Sequence, residues 1–232
     1  MKRTNKSSAV KQQRAAKVQE ADTPEQARNR LLNFYPTPPW GARAGAEILR
    51  DIDPEARVIW EPACGEGHMA EPLKEYFPSV IATDIHDHGY GQVLDFLLLK
   101  EPPFEVDWLV TNPPFDHAAT FLRQGLAFAR RGVALLCRIA FLEGGDRYPD
   151  LYLGENPLTF CCPFIERLPM QLGVWDPEGS SAACYAWFFF QKGAAPGPVR
   201  PIPPGTAGRL HRREDVLRFC KPSPAPLFET AC

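Results

Sequence analysis

The feature that most restricts the fold is that the middle of the chain is apolar in unbroken runs, not in alternation. "ARVIWE" (56–61), "SVIATDI" (79–85), "VDWLVT" (106–111), "GVALLCRIAF" (132–141) and "CYAWFFFQ" (184–191) all have this character. A strand wet on one face alternates polar with apolar residues, whereas a strand covered on both faces has no reason to. "QVLDFLL" (92–98) and "FIERLPM" (164–170) read as further strands. Helical signals lie between the runs. "HMAEPLKEYF" (68–77) tolerates Pro72 only in a first turn. In "HAATFLRQGLAFARR" (117–131), Phe121, Leu122, Leu126 and Phe128 make one apolar stripe. Buried strands alternating with such helices predict an α/β fold: a single doubly wound, Rossmann-like domain with a mostly parallel sheet, its ligands beyond the carboxyl ends of the strands.

At 232 residues the chain can bury one sizeable core. An apolar fraction of 44%, a charged fraction of 23% and a net charge of −2 are those of an ordinary globular protein. No apolar run approaches the ~18 residues of a bilayer span. The first 17 residues hold Lys2, Arg3, Lys6, Lys11, Arg14 and Lys17 and no acid, which suits a solvated tail or a non-specific grip on phosphates. That segment lacks the apolar stretch of a secretory signal. The seven cysteines, with Cys161 and Cys162 adjacent, fit neither a disulfide framework nor a zinc site and read as reduced thiols in a cytoplasmic protein. Residues 1–30 are expected to be a flexible basic tail, 31–192 the folded domain, and 193–232, with eight prolines, a flexible tail.

"EPACGEGHMA" (61–70) puts Gly65 and Gly67 where a first strand hands over to a helix. Glycine there permits positive φ and close approach of a ligand, although a tight turn without a ligand reads the same way. Asp84 ends the next strand, 17 residues after Gly67, where an acid can accept hydrogen bonds from both hydroxyls of a ribose. Glu61 at the first strand tip would repel phosphate, and the third glycine of a pyrophosphate turn is absent. A phosphate-free, cationic adenosine cofactor such as S-adenosylmethionine fits better than a nicotinamide dinucleotide.

"DWLVTNPPF" (107–115) runs a strand into a rigid corner. The prolines remove two backbone donors and fix the direction of the local carbonyls. If the Asn112 side-chain oxygen and the Pro113 carbonyl each accept an N–H from an aromatic amine, the nitrogen is drawn toward tetrahedral geometry. Its lone pair is then localised, and Phe115 can stack on the ring to fix its plane. A Pro-Pro turn capped by Asn is the structural alternative.

"FYPTPPW" (34–40), "EPACGEG", "TDI" and "NPPF", in that order, resemble the S-adenosylmethionine-dependent DNA adenine-N6 methyltransferases of the small phage and prophage type, with a class I methyltransferase domain. "CRIAFLEGGDR" and "VWDPEGSSAACYAWFFF" also look like that group. The resemblance implies cofactor contacts from Tyr35, Thr37, Glu61, Ala63, Gly65, Gly67 and Asp84, and a catalytic quartet of Asn112, Pro113, Pro114 and Phe115. It also implies an acid near the cofactor's adenine, for which Asp95 is the candidate; a plain turn residue is the other reading. DNA is the implied partner, with the target adenine flipped out of the helix. After the core the sequence offers only the loop around "MQLGVWDPEGSS" and a proline-rich stretch, so recognition is expected from loops, the basic tail or another subunit. Trp175 either stacks on DNA or anchors its loop. Arg138 and Arg147 either bind phosphates or are merely solvated. His68, His86 and His88 cluster in sequence without the spacing of a metal site. Other planar acceptors remain open, namely adenine in RNA, a cytosine amino group or a protein glutamine amide, as does a nucleic-acid-binding protein without turnover.

Overall fold

The computed structural model describes residues 23–220. The basic segment 1–17 and the last three prolines lie outside the described residues. Seven strands form one sheet: β1 (Val58–Glu61), β2 (Ser79–Asp84), β3 (Gln92–Val93), β4 (Trp108–Thr111), β5 (Gly132–Arg138), β6 (Phe160–Pro163) and β7 (Tyr185–Gln191). Their order is β3-β2-β1-β4-β5-β7-β6. The first five strands run parallel, and β7 is antiparallel to both β5 and β6. This is the expected Rossmann-like α/β fold with a mostly parallel sheet.

The unbroken apolar runs have the predicted cause. Along β7, Trp187 and Phe189 enter one core cluster while Ala186, Phe188 and Phe190 enter the other. Along β5, Ala134 and Leu136 face the first cluster; Val133, Leu135 and Cys137 face the second. The helix Pro39–Ile52, α2 in chain order after α1 (Pro24–Leu31), covers the first face with Trp40, Ala42, Ala46 and Leu49. α4 (Ala118–Phe128) covers the second with Phe121 and Leu122, following the one-turn α3 (Ala70–Leu73). Gly45 lets α2 approach the sheet: a Cβ there would lie 2.3 Å from the Trp187 indole, whose N–H donates to the Gly41 carbonyl at 2.9 Å.

Four expectations are corrected. The strand placed at 164–170 is β6, four residues upstream, and Phe164 makes only an isolated bridge to Ile202. "QVLDFLL" yields two strand residues and then a 3-10 turn, Phe96–Leu98, because Asp95 caps that turn by accepting from the Leu97 N–H at 3.0 Å. Residues 24–30, assigned to a flexible tail, belong to α1, Pro24–Leu31. Thr23 and Gln26 close a capping box on it, with Pro24 in the first turn. The region after Lys192 is not an extended tail throughout. α5 (Thr206–Leu210) and α6 (Arg213–Phe219) pack on the domain, burying Leu210, Asp215 and Phe219. Prolines keep 196–204 out of regular pairing, but none falls between Gly205 and Cys220.

The buried Arg43 holds α6 in place. Its guanidinium donates to both Asp215 oxygens (2.6 and 2.8 Å), to Glu75 (2.7 and 2.9 Å) and to the Leu210 carbonyl (3.1 Å). Burial opposes its charge, but the hydrogen bonds and charges of Asp215 and Glu75 outweigh that and raise its pKa. Among the described residues no helix is long and apolar enough to cross a membrane.

Candidate active site

Three strand ends meet at one edge of the sheet. Glu61 closes β1, Asp84 closes β2 and Asn112 follows β4, and these strands are parallel neighbours. A cleft of about 240 Å³ opens there, at the carboxyl ends where a doubly wound sheet binds ligands. Its walls include Tyr35, Thr37, Glu61, Ala63, Gly65, Asp84, Asp95, Asn112 and Pro114. Gly67, Pro113 and Phe115 are not among its lining residues.

Gly65 and Gly67 have φ of +51° and +88°, the left-handed region that disfavours side chains. A Cβ on Gly65 would also come 2.5 Å from the Phe34 ring. Phe34 thus covers the turn from the preceding segment, stacked on His88 with ring centroids 4.7 Å apart. Asp84 holds the turn from below. One carboxylate oxygen accepts from the Gly65 N–H at 2.8 Å, the other from the His86 N–H at 3.0 Å. Each oxygen keeps lone-pair capacity for a further donor, so the acid can order the turn and still meet a ligand hydroxyl.

Glu61 is 2% exposed, and its Oε2 has no hydrogen-bond partner among the described residues. Burial pushes its carboxyl well above the usual carboxylate range; the nearby Asp84 adds to this and the Ala70 N–H works against it. Burial thus favours the protonated form of this acid, and a cation beside it would favour the ionised form.

Asn112 is oriented by two acceptors from the segment before α2. Its Nδ2 donates to the Tyr35 carbonyl at 2.9 Å and to the Thr37 hydroxyl at 3.2 Å. An amide with both donors committed on one side presents its oxygen on the other, and Asn112 Oδ1 is buried with no partner. The Pro114 carbonyl accepts from the His117 N–H at 2.9 Å, closing the corner. Phe115 stands beside it, its ring 4.9 Å from that of Tyr35 and under the Arg138 guanidinium at 4.4 Å.

The remaining candidates separate. Asp95 both caps its 3-10 turn and borders the cleft. Trp175 is buried against His68, His211 and Phe219, which makes it a loop anchor and removes it as a DNA wedge. Arg147 donates to the carbonyls of Phe141, Ala140 and Glu143, so its guanidinium is spent within its own loop. His68 stacks on Phe219, and no group of histidine, cysteine and acid side chains suited to a metal occurs among the described residues. The described cysteines are free thiols; burial pushes that of Cys162 up to about 12. The sequence reading missed Phe34 as the cover of the glycine turn and the Tyr35 carbonyl as the partner of Asn112. Its position beside Tyr35 was the one available clue to Phe34, whereas a backbone carbonyl has no residue signature at all.

No family model matches the chain, nor does any curated protein match it in sequence. Solved structures do match in fold. A protein from Pyrococcus horikoshii provisionally assigned as an RNA methyltransferase is 17% identical, with a TM-score of 0.54 over 69% of this chain and 87% of that one. The methyltransferase subunit of a type I restriction-modification system from Streptococcus thermophilus is 12% identical, with a TM-score of 0.52 over 69% of this chain and 46% of that one. A modification subunit provisionally assigned to a type I restriction enzyme from Vibrio vulnificus YJ016 is 16% identical, with a TM-score of 0.52 over 85% of this chain and 51% of that one. The chain spans about half the length of the two restriction-modification subunits. At these identities the likeness establishes the Rossmann-like fold that methyltransferases share.

Proposed function

We propose that this protein is an S-adenosylmethionine-dependent methyltransferase that modifies the exocyclic amino nitrogen of adenine in DNA. The observation that carries the reading is the Asn112 amide: its donors are committed to Tyr35 and Thr37, its buried oxygen has no partner, and the residue lines the cleft together with Glu61, Gly65 and Asp84. The cofactor fits the residues present. Glu61 has an orphaned oxygen suited to a cation, Gly65 lines the cleft without a side chain of its own, and Asp84 retains acceptor capacity for hydroxyls. Tyr35, Thr37, Ala63 and Asp95 would complete its pocket, with Gly67 shaping the turn from behind.

S-adenosylmethionine supplies a methyl group on a positively charged sulfur. The chain's part is to prepare the acceptor. Asn112 Oδ1 and the Pro113 carbonyl accept the two amino hydrogens and localise the nitrogen lone pair. Pro114 keeps the corner rigid, and Phe115 stacks on the base. The surplus proton leaves after transfer, so no strong base is required beforehand. An adenine inside a duplex is paired and stacked, so it must be flipped to reach this corner.

The same corner would serve an adenine in RNA, the acceptor class named for the Pyrococcus horikoshii neighbour. Incubation with labelled cofactor and, separately, unmethylated plasmid DNA, total RNA and a bacterial protein lysate separates the readings. Label recovered as N6-methyladenine from digested DNA is expected. Label in RNA or protein but not in DNA would overturn the acceptor, and no label together with no cofactor binding would overturn the activity.

A further inference from the structure

The ring assigned to stack on the target base already carries a flat cation. The Arg138 guanidinium carbon lies 4.4 Å from the centroid of Phe115, about the separation at which a stacked base would sit. Arg138 is the last residue of β5, one strand over from the Asn112 corner, and its side chain is exposed. No carboxylate among the described residues forms an ion pair with it; its other polar neighbour is the hydroxyl of Tyr185, its register partner on β7. By contrast, Arg123, Arg130, Arg131, Arg200 and Arg209 are all paired with acids. An exposed guanidinium held by an aromatic face is bound by only about 0.5–1 kcal/mol, so it can be displaced.

We propose that Arg138 holds the place of the target base, covering Phe115 while the cleft is empty and turning to a phosphate flanking that base once the base stacks there. One ring face cannot hold the guanidinium and a base together. Displaced from Phe115, a guanidinium that makes no ion pair with an acid among the described residues can meet a phosphate of the same strand with two parallel hydrogen bonds. Arg138 is thus a positioning residue that couples base entry to backbone contact. The inference rests on the nucleic-acid methyltransferase reading above.

The test compares wild type, Arg138→Ala and Arg138→Lys in binding to unmethylated plasmid DNA across a range of salt concentrations, and in steady-state turnover. For Arg138→Ala, DNA binding about tenfold weaker is expected, with the loss in KM more than in kcat. The slope of log affinity against log salt should fall by about 1, the signature of one lost phosphate contact. Arg138→Lys should restore the salt slope but not the full affinity, because an ammonium keeps the charge without the planar fork. Unchanged cofactor binding in both variants shows that they are folded. An unchanged salt slope with equal or lower KM in Arg138→Ala would overturn the phosphate role and leave an obstruction only. Wild type that methylates no nucleic acid would overturn this proposal together with the reading it rests on.

Discussion

The chemistry rests on how single side chains are held. Asn112 is oriented by acceptors 77 and 75 residues away in sequence, Tyr35 and Thr37. Replacing Asn112 with Ala should lower kcat by about 100- to 1,000-fold, the usual cost of losing one preorganised group at a reacting centre. Cofactor affinity by calorimetry should stay within a few fold. Asp84→Ala should weaken cofactor binding by about 1–3 kcal/mol and loosen the turn as well, because the Gly65 N–H loses its acceptor. For Glu61 the sign is set by its raised pKa. Because burial raises the carboxyl's pKa in the empty site and a bound cation would lower it, cofactor affinity should climb with pH until the free carboxyl ionises. Glu61→Gln should flatten that profile, and a profile unchanged by the substitution would show that Glu61 does not meet the charge. At this scale the sequence was informative about identity. Glu61, Gly65, Asp84 and Asn112 were legible because strand tips and glycine turns leave local marks. The direction of the Asn112 amide was not, because it depends on a backbone carbonyl.

Elements divide by whether their signals are local. β1, β2, β4, β5, β7 and α4 were legible in apolar runs and one amphipathic stripe. α1 was hidden in a polar segment, although its capping box is a short-range signal that the apolar pattern overshadowed. β6 was misplaced because "TFCCP" and "FIERLPM" are equally apolar; only pairing with Trp187 and Phe188 on β7 selects the first. α2 shows how an element is fitted to its neighbour. Gly45→Val should destabilise the fold by about 3 kcal/mol or more in chemical denaturation, since the Trp187 indole fills the space a side chain would need.

For the whole molecule, the C-terminal helices extend the folded unit beyond the sheet. Asp215→Ala would leave the Arg43 guanidinium buried with only Glu75 to balance it. A loss of about 3–5 kcal/mol is expected, read as a shift in the urea midpoint without a change in slope. The tie reaches the cleft, since Phe219 of α6 stacks on His68, a residue of the cleft wall. Cofactor at 100 times its dissociation constant should stabilise the protein by about 2.7 kcal/mol, visible as a rise in melting temperature.

By itself the sequence determined the α/β class, the mostly parallel sheet and the residues at the strand tips. Each of these is written in local periodicity or in the conformational needs of glycine and proline. The tertiary structure alone decided that the region after Lys192 joins the domain, that Trp175 is an anchor and that the Asn112 amide nitrogen is held by Tyr35 and Thr37. Those outcomes depend on partners such as Arg43 and Asp215, 172 residues apart, whose meeting follows from how the sheet brings distant segments together and not from any pattern within either segment.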